Sequence, residues 1–383
     1  MNPKFENKKI ALVADWLTDR GGAEHVVAAL AKAFPQATIF TSVYNPDAFP
    51  EFRSREVRTT FLQKLPTAFR RKHQFLLPFF PMAFEKLDLS GFDIIFSSAS
   101  SGFSKCVQKT KPEQKHICYC HTPVRFLYHA RDEYMREYPL PWWGQPVKLI
   151  LPLLLNWLTK KDQNAIKNID FFLSNSDFVG KRIKKFYQKP STTLYPCIDT
   201  KPFLQAAHQH SKQDYFLAVG RFIPYKKFDL LVETFAKNHL PIKLVGSGPE
   251  LEHCQELARE KNAQNIEFLG FAERARLPGL FARARAFVFP VEEDFGLVPI
   301  EAMSAGTPVL YYNRGGATES IGKTEIKCGI AFDHQTSESL QKAIDRFLAS
   351  ESSFDPEEIQ KRGEQFDEEI FIQKIHDFLE EKL

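Results

Sequence analysis

The stretch that decides the fold is residues 286–310, which read AFVFPVEEDFGLVPIEAMSAGTPVL. It begins with an apolar run typical of a buried strand and ends where a second strand is predicted. Between the two, Pro299 lies where a helix starts and Gly306-Thr307-Pro308 lies where it stops. This order of elements is typical of a parallel α/β sheet. The acidic residues of the loop then follow the carboxyl end of a strand, where open α/β sheets bind ligands.

Two carboxylates of this stretch are candidate binding groups. Glu293 precedes a Phe-Gly turn, and Glu301 is expected in the first turn of the helix, where the helix dipole alone would also explain an acid. Two acids on either side of one turn point to a hydroxyl-rich ligand, because carboxylate oxygens accept hydrogen bonds from sugar hydroxyls. The backbone N–H groups of Phe295, Gly296 and Leu297 are expected to face phosphate or sugar oxygens. The stretch therefore predicts a nucleotide-sugar or sugar-phosphate pocket.

Composition indicates a soluble globular protein of two domains in a reducing cytoplasm. The chain has 383 residues, 43% apolar and 26% charged, and its six cysteines include no CxxC pair. The N-terminus runs into a strand without the apolar region of a signal peptide. Residues 1–200 carry 29 basic and 18 acidic side chains, whereas the remainder carries 22 and 29. A basic front half suits phosphorylated substrates or anionic lipid, and without a basic-aromatic RNA signature or zinc finger nucleic acid is not expected.

The first half repeats the strand, loop and helix pattern. Asp15 ends the first strand, and Gly21-Gly22 precedes a helix that starts near Glu24. The glycine pair either permits a tight turn or lets a substrate approach bare backbone. His121 stands where the strand over 115–120 meets its loop. It either bonds within that loop or belongs to a site.

No metal or cofactor site is predicted. His116, Cys118 and Cys120 share one strand face, but zinc ligands normally bracket a turn. Gly246-Ser247-Gly248 resembles the start of a dinucleotide fingerprint, yet Pro249 follows and the third glycine is missing, which argues against a dehydrogenase. The chain also lacks an Asp-x-Asp sequence, so it has no motif for a metal-dependent nucleotide-sugar site of the single-domain type.

Two aromatic and apolar segments, 69–82 and 142–158, have two interpretations. Both are too short or too interrupted to span a bilayer. Each is either a helix packed on the sheet or a surface that rests on an anionic membrane. The polar stretch over 205–214 is predicted to be a linker or rim, after which strands and helices alternate again. The tail carries one helical apolar stripe at 371, 375, 378 and 379.

Five motifs in chain order resemble the retaining glycosyltransferases of family 4, which have the GT-B fold. They are Gly21-Gly22-Ala23-Glu24, the strand-end His121, Gly220-Arg221 with Lys226, Gly246-Ser247-Gly248-Pro249, and Glu293 with Glu301 eight residues later. The likeness covers nearly the whole chain. Within the family, the chain is similar in particular to bacterial mannosyltransferases of O-antigen and capsule assembly. The residues that carry this similarity are Asp15-Trp16-Leu17, the run 121–127 and Pro224-Tyr225-Lys226. Lys227 and Ser247 depart from the family, which often has Gly and Asp there.

The resemblance implies an α/β protein with two Rossmann-like parallel-sheet domains that face each other across a cleft. The acceptor-side domain is expected over 1–198 together with a returning C-terminal helix over 366–383. The donor-binding domain is expected over 199–365. This is the GT-B architecture.

The resemblance also implies roles for particular side chains, with His121, Arg221, Lys226 and Glu293 as the catalytic group. Arg221 and Lys226 would neutralise the diphosphate leaving group in place of a metal. Glu301 would accept from ribose hydroxyls, Glu293 from the transferred sugar, and His121 would contact that sugar near its 6-position. The donor-binding set is Gly22, Arg221, Lys226, Gly246, Phe271, Glu293, Phe295, Gly296, Leu297 and Glu301. The acceptor-side set is Asp15, Gly21, Gly22, Glu24 and Arg125.

The function that the resemblance implies is transfer of mannose from GDP-mannose, with retention, in bacterial surface polysaccharide synthesis. The acceptor is expected to be a saccharide linked to polyprenyl diphosphate, and neither metal nor cofactor is expected. The enzyme would be cytoplasmic and peripheral on the inner face of the plasma membrane. The alternatives are a UDP-sugar donor, a GT-B nucleotide-sugar epimerase and a non-catalytic nucleotide-sugar-binding scaffold. A phosphorylase is disfavoured because no motif for its cofactor lysine is present.

Overall fold

The protein consists of two α/β units. The structure is a computed structural model that describes residues 7–67, 70, 73–132, 135 and 147–383. Unit 1 comprises Met1–Tyr195 and Phe371–Leu383, and unit 2 comprises Pro196–Ile370. These bounds differ by a few residues from the expected 198 and 366. The reason is that Ile198 pairs with Asp367 in a parallel bridge, while the Thr200 hydroxyl donates to the Asp367 carboxylate at 2.6 Å, which keeps both segments in unit 2.

Within the described residues, unit 1 contains a seven-stranded parallel sheet of order β3-β2-β1-β4-β5-β6-β7. The strands are β1 (Ile10–Ala14), β2 (Thr38–Thr41), β3 (Val57–Thr59), β4 (Ile94–Ala99), β5 (Lys115–Cys120), β6 (Phe171–Ser174) and β7 (Thr192–Thr193). Every residue of β1, β2 and β4 is buried, as expected of a sheet covered on both faces.

Helices cover this sheet and bury its apolar side chains. They are α1 (Gly22–Ala33), α2 (Phe80–Glu85), α3 (Val147–Ala165) and α4 (Asp177–Tyr187). The helix α4 begins at Asp177, where the Ser176 hydroxyl accepts from the Val179 N–H as an N-cap. Its last turn holds Lys184 and Lys185, which complement the helix dipole.

Unit 2 contains a six-stranded parallel sheet of order β10-β9-β8-β11-β12-β13. The strands are β8 (Phe216–Val219), β9 (Ile242–Val245), β10 (Ile266–Gly270), β11 (Ala286–Phe289), β12 (Val309–Tyr312) and β13 (Gly329–Phe332). Two parallel-sheet α/β domains confirm the predicted fold class. The decisive stretch folds as predicted, since β11, a helix and β12 follow one another along it.

The helices described in unit 2 are α5 (Lys201–Gln209), α6 (Phe228–Asn238), α7 (Leu251–Glu260), α8 (Leu277–Arg283), α9 (Leu297–Ser304), α10 (Ala317–Ile321), α11 (Ser337–Ser350) and α12 (Pro356–Glu364). The prediction of a linker or rim over 205–214 is wrong for its first half, because α5 includes residues 205–209. That helix has Pro202 in its first turn and buries Phe203 and Ala206, a stripe too short to be recognised from periodicity.

The chain ends in helix α13 (Glu368–Lys382), whose apolar stripe is confirmed. Phe371, Ile375, Phe378 and Leu379 are its buried residues. They pack on the unit 1 sheet, where the Phe371 ring lies 6.0 Å from that of Tyr119 and the Phe378 ring lies 6.0 Å from that of Phe171. His376 Nε2 also lies 3.1 Å from the Ala33 carbonyl oxygen at the end of α1.

The two aromatic segments are described only in part. Residues 69, 71 and 72 of the first and 142–146 of the second lie outside the described residues. The remainder forms a 3₁₀ turn (His73–Phe79) that leads into α2, and the first twelve residues of α3. Among the described residues, no helix combines the length and apolarity that crossing a bilayer requires.

Candidate active site

A charged pair occupies the switch point of the unit 2 sheet. The strand order reverses between β8 and β11, so the loops after these two strands diverge and leave room for a ligand. Lys226 ends a 3₁₀ turn (Pro224–Lys226) in the first loop, and Glu293 lies in the second. Lys226 Nζ donates to Glu293 Oε1, and only 15% and 18% of the two side chains are exposed. Two residues chosen from the sequence as site residues are therefore in contact.

Aromatic rings hold the Lys226 ammonium from two further sides. Its Nζ lies 5.4 Å from the centre of the Tyr225 ring and 6.0 Å from that of Phe289. Both are distances at which a cation is attracted to a ring face. Neither aromatic was assigned a role from the sequence. Phe289 is the last residue of β11, so its position at a strand end was the available signal.

Arg221 is exposed on a loop that two glycines bring close to a neighbouring loop. A Cβ at Gly246 would lie 1.8 Å from the Gly220 carbonyl oxygen, and one at Gly248 would lie 2.3 Å from that of Phe222. The Phe222 N–H donates to the Ser247 carbonyl at 2.9 Å across this contact. Gly246 therefore acts on the site through the backbone that carries Arg221.

Lys227 has a left-handed backbone conformation, with φ of 56° and ψ of 40°, at the N-cap of α6. Glycine adopts this conformation without strain, which explains why the resembled family often has Gly there. The departure at Lys227 therefore concerns the backbone as well as phosphate electrostatics. A lysine in this conformation carries a local strain that a glycine would remove.

The loop that carries Glu293 rests on a glycine pair that sequence reasoning missed. The Gly316 N–H donates to the Glu293 carbonyl at 2.8 Å. A Cβ at Gly316 would lie 2.1 Å from the Asp294 carbonyl oxygen, so no larger residue fits beneath the loop. The sequence signal was Gly315-Gly316 shortly after β12. These glycines set the height of the Glu293 loop above the sheet.

Phe295 cannot contribute its side chain to a ligand site, because the ring is 3% exposed and packs 5.7 Å from the ring of Phe366. Its predicted contribution is restricted to its backbone. Gly296 is the N-cap of α9 with φ of 88°, and the helix begins at Leu297. The N–H groups of the first helical turn have no partner within a helix, so this end of α9 suits an anion.

Glu301 lies in the second turn of α9, so its expected position in the first turn is wrong. The helix begins at Leu297 and its first turn holds no acidic residue. The helix dipole therefore no longer explains why an acid stands at 301. Burial raises the pKa of Glu301 to about 7, and the charge of Arg274 partly opposes this. Arg274 was not recognised from the sequence, since it lies in a separate 3₁₀ turn (Arg274–Arg276).

Phe271 is 76% exposed, the largest fraction among the exposed large hydrophobic side chains of the described residues. It follows β10 at the carboxyl edge of the sheet, and the preceding Gly270 carbonyl accepts from the Gly246 N–H at 2.8 Å. An exposed ring at this edge offers a surface on which a base can stack.

In unit 1, Asp15 lies at the switch point between β1 and β4, but its carboxylate already accepts hydrogen bonds from the loop after β4. Its Oδ2 accepts from the Ser100 N–H at 2.7 Å, the Ser100 hydroxyl at 2.8 Å and the Ser101 N–H at 3.0 Å. Its Oδ1 accepts from the Ser104 N–H at 2.8 Å. The residue is 6% exposed. These bonds make it a support for the loop after β4.

The glycine pair of unit 1 begins α1 and faces Glu24. Gly21 is the N-cap, and a Cβ there would lie 2.8 Å from Glu24 Oε2. Burial raises the pKa of Glu24 to about 7, and the negative charges of Asp15 and Asp19 raise it further. Hydrogen bonds from the backbone N–H groups of Glu24 and Gly21 act in the opposite direction and lower this pKa. Gly22 is the first residue of the helix. The carboxyl of Glu24 is thus held against the glycine backbone.

His121 is 9% exposed and held at the end of β5. Its Nε2 lies 2.8 Å from the Ser98 hydroxyl, and its ring lies 5.0 Å from that of Tyr119. Its backbone N–H donates to the Ala99 carbonyl at 2.9 Å. Arg125 begins a 3₁₀ turn four residues later and is partly buried.

The residues that sequence analysis considered for a metal are part of the unit 1 core. His116 Nε2 lies 2.8 Å from the Ser97 hydroxyl, and burial lowers the pKa of His116 to about 3. Cys118 and Cys120 are buried with it. In the part of the chain that the structure describes, no group of three or more His, Cys, Asp or Glu side chains could hold a metal ion.

The chain is similar to known glycosyltransferases in sequence. It matches the family model "Glycosyltransferase Family 4" over residues 20–202 and the model "Glycosyl transferases group 1" over residues 200–366. It is 25% identical over 273 residues to alpha-1,3/1,6-mannosyltransferase ALG2 of Mus musculus, covering 63% of this chain and 62% of that protein. It is 25% identical over 205 residues to O-antigen chain mannosyltransferase RfbU of Salmonella typhimurium, covering 51% of this chain and 56% of that protein.

A third relative is the GDP-mannose-dependent alpha-(1-6)-phosphatidylinositol monomannoside mannosyltransferase of Mycobacterium tuberculosis. The identity is 27% over 178 residues, which covers 40% of this chain and 46% of that protein. The chain thus spans less than two thirds of the length of each of these curated relatives.

Solved structures show the same fold over nearly the whole chain. Sucrose-phosphate synthase of Thermosynechococcus elongatus superposes with a TM-score of 0.72 at 20% identity, covering 98% of this chain and 99% of that one. HepE of Anabaena in complex with UDP superposes with a TM-score of 0.70 at 16% identity, covering 97% and 100%. The fold is that of the GT-B glycosyltransferases, and the two matched models place this chain in the glycosyltransferases that pair a family 4 domain with a group 1 domain.

Proposed function

We propose that this protein transfers a hexose, mannose from GDP-mannose, to a saccharide acceptor with retention and without a metal. The observation that carries the proposal is the Lys226–Glu293 pair at the unit 2 switch point. A cation and a carboxylate in contact match the two charge types that a nucleotide-sugar donor requires, one for its diphosphate and one for its sugar hydroxyls.

The proposed roles in donor binding follow from the unit 2 geometry. Arg221 is exposed and binds phosphate oxygens in bidentate fashion, and Lys226 adds a point charge to the departing diphosphate. When the diphosphate attracts Lys226, Glu293 is released to accept from a sugar hydroxyl. Glu301 accepts from the ribose, and Phe271 stacks on the base. The N-terminus of α9, with Gly296 and Leu297, faces the phosphates.

For unit 1, His121 is proposed to contact the transferred sugar, and Gly22 leaves room for the donor phosphates. Gly21, Glu24 and Arg125 form the proposed acceptor side, which Asp15 supports through the loop after β4. The acceptor attacks the face that the diphosphate leaves. The diphosphate itself takes the acceptor proton, so this scheme requires no separate protein base.

The donor is proposed from the relatives rather than from any one side chain. Mannosyltransferases recur among them, and one is GDP-mannose-dependent by name. A UDP-sugar is the second candidate, because a structural neighbour was solved with UDP. A thermal-shift panel of GDP, UDP, ADP and their sugars decides between the two. Stabilisation by GDP and GDP-mannose is expected, and stabilisation by UDP alone would replace the donor while leaving glycosyl transfer in place.

The acceptor is proposed to be a saccharide on polyprenyl diphosphate in bacterial surface polysaccharide synthesis, with the enzyme peripheral on the cytoplasmic face of the plasma membrane. The likeness to an O-antigen mannosyltransferase and the basic front half support this proposal. An epimerase would instead release free sugar from the donor without acceptor. A non-catalytic nucleotide-sugar-binding scaffold would be stabilised by the donor nucleotide but would transfer no sugar to an acceptor.

Replacing Arg221 or Lys226 by Ala tests the catalytic assignment. If these cations stabilise charge that develops on the leaving group, kcat falls by about 10²-fold or more. EDTA is expected to leave the rate unchanged. Lys261→Ala, an exposed lysine at the end of α7, is the matched control and retains full activity. A higher KM with an unchanged kcat in Arg221→Ala would contradict the role.

A further inference from the structure

A polar pocket of about 470 Å³ lies in unit 1 beside the end of α3. Its walls come from the end of α2, from the loop between β4 and β5, and from a 3₁₀ turn (Ile166–Asn168) that continues α3. The residues that line it are Glu85, Gln108, Asn164, Ala165, Lys167 and Asn168. Five of these six carry a polar head group, and none belongs to the proposed donor or acceptor set. The proposed reaction therefore leaves this pocket without a role.

The pocket lies toward the opposite edge of the unit 1 sheet from the candidate active site. Asn168 comes three residues before β6. Lys109, the neighbour of Gln108, donates to the carboxylate of Asp170, one residue before β6, at 2.9 Å. Both walls thus stand where the parallel strands begin. His121, by contrast, follows the last residue of β5, at the edge where the strands end and ligands of the sheet bind.

A chain of hydrogen bonds orients the Asn168 amide at the pocket wall. Gln108 Nε2 donates to the Cys106 carbonyl at 2.8 Å, and Asn168 Nδ2 donates to Gln108 Oε1 at 2.7 Å. Both amide side chains are half-buried. No residue in the described part of the chain donates to Asn168 Oδ1. Asn168 therefore presents an acceptor whose orientation is set before any ligand arrives.

A second amide of the pocket presents donors instead. Lys167 Nζ donates to Asn164 Oδ1 at 3.0 Å, which occupies the acceptor end of that amide. Its Nδ2 group bonds no acceptor among the residues that the structure describes. The pocket thus combines a donor amide at Asn164 with an acceptor amide at Asn168. Sugar hydroxyls both donate and accept, so neighbouring hydroxyls of one ring satisfy the two amides together.

An exposed tryptophan continues the pocket along α3. Trp157 is 39% exposed and lies four residues before Lys161 and eight before Ala165, so the three share one helix face. Lys161 Nζ lies 2.9 Å from both carboxylate oxygens of Glu85 and 5.9 Å from the centre of the Trp157 ring. From Trp157 to Ala165 the helix rises about 12 Å, a span longer than one sugar ring. The flat apolar face of an indole suits the C–H face of a sugar.

The charges of the pocket favour a neutral ligand over a phosphate. Its lining includes one carboxylate, Glu85, and one ammonium, Lys167. An anion drawn to Lys167 would also meet the negative charge of Glu85. A purely apolar ligand would leave the two amides without hydrogen-bond partners, which is costly. A neutral molecule rich in hydroxyl groups meets neither penalty.

We propose that this surface, called the polar groove and formed by Trp157, Glu85, Asn164 and Asn168, is a second saccharide site that holds a neutral hexose chain away from the reaction. Trp157 packs against one ring, and the two amides bond the hydroxyls of another. That the chain is the acceptor or product of this enzyme rests on the proposed function, whereas the groove itself does not. Such a site keeps a growing chain on the protein between rounds of transfer.

The test is calorimetric titration of the full chain with α-linked mannotetraose, and with maltotetraose as a second hexose chain. Wild type is expected to bind at least one of them, and saturating GDP should leave this binding unchanged. Trp157→Ala should weaken binding by about tenfold or more, because it removes the ring on which a sugar packs. Asn164→Leu should weaken it by about fivefold, as expected for the loss of one hydrogen bond. Trp157→Phe keeps an aromatic face and should restore most of the affinity that Trp157→Ala loses.

The matched control is Gln373→Leu, which removes an exposed amide from α13 in the same unit and should bind as wild type does. Absence of wild-type binding to both tetrasaccharides overturns the proposal, and so does unchanged binding in either Trp157→Ala or Asn164→Leu. Inorganic phosphate that binds the groove in place of the tetrasaccharides also overturns it, in favour of an anion site. Thermal shift with GDP-mannose reports the donor site separately, so a failed groove and a failed donor assignment are distinguishable.

Discussion

At the scale of single residues, Glu301 shows how burial changes what a carboxyl group can do. Its pKa is raised to about 7 by burial, so near neutrality the side chain is divided between a protonated and an ionised form. Only the ionised form offers acceptors at both oxygens. If ribose hydroxyls donate to it, ligand binding favours ionisation and lowers this pKa. Donor binding then releases a proton, and its affinity increases with pH.

The expected result is an increase of up to about tenfold in GDP-mannose affinity between pH 6 and pH 8, the range over which a group with this pKa ionises. Calorimetry measures it, and the sugar-substituted diphosphate of the donor does not itself titrate in this range. Glu301→Gln should bind more weakly and lose the pH dependence. A pH dependence that persists in Glu301→Gln would assign the titration to another group.

Lys227 illustrates a different residue-scale effect. The lysine that stands where the resembled family often has glycine has a conformational consequence besides its charge, because the backbone there has φ of 56°. A left-handed conformation costs a non-glycine residue roughly 1–2 kcal/mol. The lysine therefore carries a strain that the local turn between Pro224 and α6 imposes, whatever its charge does for a phosphate.

At the scale of elements, a buried ion pair joins the loop after β4 to helix α3. Lys105 Nζ lies 2.7 Å from Asp162 Oδ1, and the two side chains are 1% and 0% exposed. Burial disfavours the charged lysine, but the Asp162 carboxylate outweighs it and raises the pKa of Lys105 well above its ordinary value. The Tyr128 hydroxyl donates to Asp162 Oδ2 at 2.7 Å. The same loop bonds Asp15 through Ser104, so β1, β4 and α3 are connected by polar contacts in a dry interior.

Removing one partner of this pair should be costly, whereas removing both should not. Asp162→Asn or Lys105→Met should each lower the free energy of unfolding by about 3–5 kcal/mol, because a buried charge loses its partner. The double change Lys105→Met with Asp162→Leu should recover most of the loss. Urea denaturation measures all three.

The exposed pair Arg53–Asp47 supplies the control, since its side chains are 59% and 84% exposed and Asp47→Asn should change stability by less than about 1 kcal/mol. Equal losses for the single and double changes at Lys105 and Asp162 would show that these side chains act through packing rather than charge.

At the scale of the whole molecule, stability depends on a segment far in sequence from the sheet it covers. Ile375 of α13 is fully buried among unit 1 residues, so Ile375→Ala should destabilise unit 1 by about 2–5 kcal/mol. Lys374→Ala, at an exposed position of the same helix, should change stability by less than about 0.5 kcal/mol. Thermal unfolding with and without GDP separates the units, because ligand bound to unit 2 raises the transition of that unit.

Ile375→Ala is therefore expected to lower the transition that GDP does not raise. If it lowered only the nucleotide-sensitive transition, the packing of α13 would matter to unit 2 instead. If both transitions moved together, the two units would unfold as one cooperative body.

The amino-acid sequence by itself determined the features that depend on local pattern. Apolar runs predicted the strands on either side of the helix in the decisive stretch, and the stripe at 371, 375, 378 and 379 identified α13. Periodicity and turn chemistry act over a few residues, so they can be recognised in the amino-acid sequence alone. The family resemblance rested on motifs of the same short range.

Only the tertiary structure decided the contacts and the desolvation. Lys226 and Glu293 meet although they are 67 residues apart. Gly316, at the N-cap of α10, supports the Glu293 loop, and the Asp15 carboxylate accepts hydrogen bonds from a loop 85 residues away. Glu301 was predicted in the first turn of α9 and lies in the second. Its raised pKa results from burial, which no local sequence pattern encodes. Pairing and burial depend on which distant segments the sheet order brings together, and that order results from the packing of the whole chain.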